Sequence, residues 1–189
     1  MKTFAQTWSA EVLTAPPLIA PARQCMYPQR VAGEEDAMNR GALQLLVKPS
    51  TGGTFLATCA LGFRDKSLPS GVFACPAPDD MLAVAGGYAY LVNTTAPEQC
   101  VHLPLRPVTQ IVFAVDEGLV LLAGFHTVAA VGATGLLWET AKLSWEGITL
   151  GEIRDGKLSG EGWNMQTNRE VPFTVDLRTG EHEGGGFTK

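Results

Sequence analysis

From Gly41 onward, short apolar or alternating runs are separated by breaks rich in glycine, proline or acidic residues, and no convincing long helix is apparent. The runs are residues 42–47, 55–63, 81–85, 88–93, 100–103, 109–115, 119–125, 127–131, 136–143, 148–154, 157–163 and 171–177. Runs of this length bounded by turn residues predict twelve strands and an all-β fold. Before Gly41, Phe4–Leu13 reads as a further strand, Pro16, Pro17, Pro21 and Pro28 punctuate the stretch after it, and residues 33–40 predict a short helical turn. The expected organisation is an N-terminal strand plus a proline-rich segment (1–40) packing on a β-repeat domain (41–189), as one globular unit.

Turn chemistry supports the strands. Asp155-Gly156 is the strongest hairpin signal, because both central residues of a type I′ turn need positive φ. Residues 116–118 and Thr179-Gly180 are weaker signals of the same kind. Gly86, Gly124 and Gly162 recur at a spacing of 38, in phase with Asp79, Glu117 and Asp155 and with Leu82, Val120 and Leu158. A period near 38 built from short strands is that of a propeller blade. The expected fold is a small propeller-like array of about four to five short antiparallel sheets, with a β-sandwich or meander barrel as the alternative. Two consequences are testable: residues 81–93, 119–131 and 157–166 should be equivalent strand pairs with the three glycines in matching positions, and Phe4–Leu13 should close the array near residues 171–177.

Residues 127–140 (TVAAVGATGLLWET) and 175–180 (VDLRTG) resemble the strand-to-turn repeat of quinoprotein-type β-propellers. Residues 25–37 and 162–187 are similar to an uncharacterised family of bacterial proteins. The first resemblance implies a structural repeat and no bound quinone; the second implies no activity.

Composition narrows the partners. With 14 Lys and Arg against 19 Asp and Glu, the formal charge of -5 argues against a general nucleic-acid or anionic-membrane binder, which needs a cationic surface. The first twenty residues hold one early lysine and no apolar run of signal-peptide type, so a cytoplasmic location is expected. Residues 118–138 form 21 positions without a formal charge, read as two buried strands joined by a turn rather than as a membrane span. Cys25, Cys59, Cys75 and Cys100 match no compact zinc or redox spacing and are expected as reduced thiols.

Residues 151–157 spell GxxxxGK, yet Leu158 comes next where a phosphate loop needs Ser or Thr, so a hairpin turn is the better reading. His126 is expected as a hydrogen-bonded residue in an apolar strand, and Glu181-His182-Glu183 as a solvated cluster. Neither a metal site nor a cofactor is expected, and no catalytic residue is assigned. The densest aromatic and polar neighbourhood is the last third, where Trp138 and Trp163 are expected to fill spaces between sheets. Trp145 with Asn168, Arg169 and Glu170 forms the candidate binding face, because aromatic and arginine anchors carry much interface energy. The function expected is a non-catalytic binding or assembly module for a protein or small molecule, including a second copy of the chain; the alternative is a hydrolase or lyase with a loop-borne site.

Overall fold

The computed structural model describes residues 2–28 and 37–187. The chain is all-β, propeller-like in its succession of four blade-sized sheets, each made of four consecutive strands. It divides into two compact units, Met1–Pro107 and Val108–Lys189.

The first unit contains β1 (Ser9–Leu13), β2 (Arg23–Tyr27), β3 (Ala42–Lys48) and β4 (Phe55–Ala60), followed by β5 (Gly71–Ala74), β6 (Asp80–Ala85), β7 (Tyr88–Asn93) and β8 (Cys100–His102). The spatial orders are β1-β3-β4-β2 and β5-β6-β7-β8. Side chains alternate across a strand, so every second residue of each central hairpin can face one core. Leu45 and Val47, Phe55, Ala57 and Cys59, Met81, Ala83 and Ala85, and Tyr88, Tyr90 and Val92 do so, joined by Trp8 and Tyr27. The buried tyrosines keep their hydroxyls satisfied: Tyr90 donates to the Ala60 carbonyl at 2.7 Å and Tyr27 to that of Pro97 at 2.5 Å.

The second unit contains β9 (Gln110–Ala114), β10 (Leu119–Ala123), β11 (Val128–Gly132) and β12 (Gly135–Glu139), then β13 (Ile148–Arg154), β14 (Lys157–Asn164), β15 (Arg169–Asp176) and β16 (His182–Gly184). Both sheets here are antiparallel meanders. Leu119, Leu121, Ala123, Val128, Ala130, Leu158, Phe173 and Val175 share its core. Gly160 is needed there because its cross-strand partner Phe173 lies over it, and a Cβ would come within 2.3 Å of that ring.

Among the described residues, thirteen of the sixteen strands coincide with expected runs; β2, β5 and β16 do not, being only three to five residues long. Ala37–Arg40 forms the expected 3-10 turn, and the rest of that expectation, residues 33–36, lies outside the described residues. The 21 uncharged residues run through three strands, β10, β11 and most of β12, rather than the two expected, the third being largely exposed, and no helix among the described residues is long and apolar enough to cross a membrane. Asp155 and Gly156 have φ of 50° and 72°, as a type I′ hairpin requires.

Three expectations are corrected. The sheets are not antiparallel throughout, since β2 lies parallel to β4. Residues 14–22 carry the chain from β1 at one edge of the sheet to β2 at the other without reversing it. The array is not closed by pairing the N-terminal strand with residues 171–177: β1 pairs with β3, and β16 covers the edge of β15. The glycine period also fails at its third member. Gly86 and Gly124 fall just past β6 and β10, whereas Gly162 lies inside β14, whose turn comes later at residues 165–168. The element that does repeat is the start of the central hairpin in each sheet, at Ala42, Asp80, Leu119 and Lys157, spaced 38, 39 and 38 residues apart.

Candidate functional site

Along β14 burial alternates strictly until the last residues: Leu158, Gly160, Gly162 and Asn164 face inward, while Lys157, Ser159 and Glu161 face outward. Register then assigns the faces of β15. Lys157 sits opposite Asp176, Ser159 opposite Thr174 and Trp163 opposite Glu170, whereas the buried Asn164 sits opposite Arg169.

The expected binding face is thereby divided. Asn168, Arg169 and Glu170 are all exposed at the β14–β15 turn. Asn168 holds a left-handed φ of 51° and accepts a hydrogen bond from the Trp163 indole N–H at 3.1 Å, fixing that ring at the turn rather than between sheets. Glu170 shares the Trp163 side, but Arg169 is its neighbour along the strand and springs from the opposite face. Trp145 reaches this neighbourhood only through its backbone, donating to the Trp163 carbonyl at 3.1 Å. Its half-buried ring instead packs against Phe187 with centroids 4.7 Å apart. Lys142 places its ammonium 5.2 Å from the centre of the same Phe187 ring. Trp138 fills space as expected, packing on the core and donating to the Leu177 carbonyl at 3.0 Å.

A more concave arrangement lies a few residues away. An open cleft of about 650 Å³ is lined by Glu139 and Ala141 after β12, Lys157 and Thr174 on the sheet face, Asp176, and the run Thr179-Gly180-Glu181-His182-Glu183. Local sequence builds it. The Asp176 carboxylate accepts the backbone N–H groups of Arg178 at 2.9 Å and Thr179 at 3.1 Å, which turns the chain, and Gly180 at φ 76° completes the turn against the Trp138 ring. Those N–H donors, Arg178 first, hold the Asp176 carboxyl below the ordinary aspartate range. The turn delivers Glu181 to the start of β16, where His182 and Glu183 pair with Val175 and Thr174. Glu139 is steadied by the Thr127 hydroxyl, which donates to it at 2.6 Å.

Four carboxylates thus line the cleft against one lysine. Carboxylates only accept hydrogen bonds, so the complementary ligand brings positive charge and N–H donors. Among the described residues no three His, Cys, Asp or Glu side chains are grouped so as to hold a metal ion. His126 is not in a strand but exposed in the β10–β11 turn, with Nδ1 3.3 Å from the Ser144 carbonyl. Glu181, His182 and Glu183 were legible as a cluster; Lys157 and Asp176 were not, because only strand register brings them beside it, and Glu139 was not, because it comes from β12 of the neighbouring sheet.

No family model and no curated protein matches the chain. Among solved structures it is similar to one titled "Crystal Structure of the N-terminal Domain of Nup159", at 12% identity and a TM-score of 0.36, over 97% of this chain and 51% of that one. The chain therefore spans about half the length of that structure.

Proposed function

We propose that the protein is a binding module whose ligand is a cationic group, an ammonium or guanidinium presented by a basic peptide, held in the acid-lined cleft of the second unit. The observation that carries this reading is the cleft itself: Glu139, Asp176, Glu181 and Glu183 converge on one concavity, with Lys157 the sole lysine or arginine among its described lining residues. The formal charge of -5 adds a long-range attraction for the same class of ligand. Binding is favoured over catalysis because the Asp176 carboxylate, whose pKa is lowered, is engaged in holding the turn through two backbone N–H groups.

Calorimetric titration with a short arginine-rich peptide tests this, using the whole chain and the double variant Glu181→Gln/Glu183→Gln. Neutralising an exposed carboxylate removes on the order of 1 kcal/mol of attraction, so the pair should weaken binding by roughly tenfold or more while leaving the melting temperature nearly unchanged. Equal affinity in the two proteins would refute the cleft as the site.

A further inference from the structure

The first unit holds a second cleft, of about 500 Å³, with a different lining: Cys25, Tyr27, Tyr90, Glu98, Cys100 and His102 are among its walls. Cys25 lies on β2, the edge strand of the first sheet, and Cys100 on β8, the edge strand of the second. Both side chains pack on the core shared by the two sheets and line the same cleft. Each is half-buried, whereas Cys59 and Cys75 are 0% and 1% exposed. The same two edges are already tied across the cleft, since Arg23 forks onto the Glu98 carboxylate with contacts at 2.7 Å and Tyr27 donates to the Pro97 carbonyl. Two reachable thiols on facing edges of one cavity, 75 positions apart in the chain, have no role in the acid-lined cleft.

We infer that Cys25 and Cys100 form a redox modification site, closing to an intramolecular disulfide when a peroxide enters the cleft. In the first step the Cys25 thiolate sulfur attacks one peroxide oxygen; the O–O bond breaks, the released hydroxide takes up a proton as water, and Cys25 becomes a sulfenic acid. In the second, the Cys100 sulfur attacks the Cys25 sulfur; the S–O bond breaks, hydroxide leaves with the proton from Cys100 as a second water, and the disulfide remains. Two thiols are oxidised together by two electrons and one peroxide is reduced. Burial first, then the neighbouring Cys25, pushes the Cys100 thiol up to about 12, so the first attack on oxidant is assigned to Cys25, and Cys100 must lose its proton as it attacks the sulfenic sulfur. The site is independent of the cation-binding reading, because no residue is common to the two clefts.

The test treats the reduced whole chain with a small excess of hydrogen peroxide, then reads intact mass and the peptide map without reduction. The expected result is a monomer about 2 Da lighter, with the Cys25 and Cys100 peptides joined. Closing so long a loop should also raise the melting temperature by about 5–10 °C, reversed by dithiothreitol. Cys25→Ser and Cys100→Ser should each abolish the joined peptide, and Cys75→Ser should not. A link involving Cys59 or Cys75, a disulfide between two chains, or Cys25 advancing to the sulfinic acid with no link would overturn the inference. The wild-type peptide map decides the matter even if a variant fails to fold.

Discussion

Gly180 holds a left-handed φ of 76° with the Trp138 ring where a side chain would be, since an ideal Cβ would lie 2.8 Å from Trp138 Cδ2. Gly180→Ala combines backbone strain with a clash against a packed ring, and should cost about 2–4 kcal/mol, read as a melting point lower by roughly 5–12 °C. Gly156→Asn is the matched comparison, because Gly156 has a similar φ of 72° with nothing within 4 Å of its Cβ direction, and asparagine tolerates that conformation. It should leave the melting temperature within about 2 °C. Asp176 predicts a pH dependence at the same turn. Its folded pKa lies below the ordinary 3.8, so its contribution to stability is fully present above that value and is lost as pH falls through the lowered one. Melting curves of wild type and Asp176→Asn should therefore differ near pH 7, and the difference should shrink as pH falls below 3.8. A difference that widens on acidification would contradict the assigned hydrogen bonds.

At the scale of elements, runs such as 81–85 and 119–123 were legible because they are continuously apolar, as strands buried on both faces must be. The hairpin at Asp155-Gly156 was legible for the stricter reason that few residues accept its dihedrals. The short strands β2, β5 and β16 were not, because three to five residues carry too little pattern and become a strand only when a neighbouring strand pairs with them. The division of Arg169 from Glu170 was hidden because β15 begins at Arg169, two residues before the expected run, and the convergence of Lys157, Asp176 and Glu183 because it depends on register between strands. β1 illustrates how an expectation can keep its consequence and change its reason. It pairs with β3 from Ser9↔Lys48 to Leu13↔Gln44, and the preceding Trp8 is 6% exposed with its indole N–H donating to the Asp80 carbonyl at 3.0 Å. Deleting residues 1–14 removes a buried indole and a five-residue ladder, and should lower the melting temperature of the first unit by about 10 °C or more, on the order of 3–5 kcal/mol for the tryptophan alone. An unchanged curve would show that β1 contributes nothing to the first sheet.

At the scale of the whole molecule, a net acidic chain gathers four carboxylates in one concavity, the cleft between the end of β12 and the turn before β16. A ligand drawn by that charge should respond to ionic strength: raising salt from about 0.05 M to about 0.5 M should weaken an arginine-rich peptide by at least tenfold, since the screening length shrinks several-fold over that range. A neutral peptide of the same length should show no such change. The measurement that bears most directly on the cation-binding account is amide chemical-shift mapping of the whole chain as the arginine-rich peptide is added. The largest shifts are expected at residues 139–141, 157, 174–176 and 179–183, saturating together with one affinity. Shifts concentrated instead at Trp145 and residues 163–170, or scattered without saturation, would contradict it.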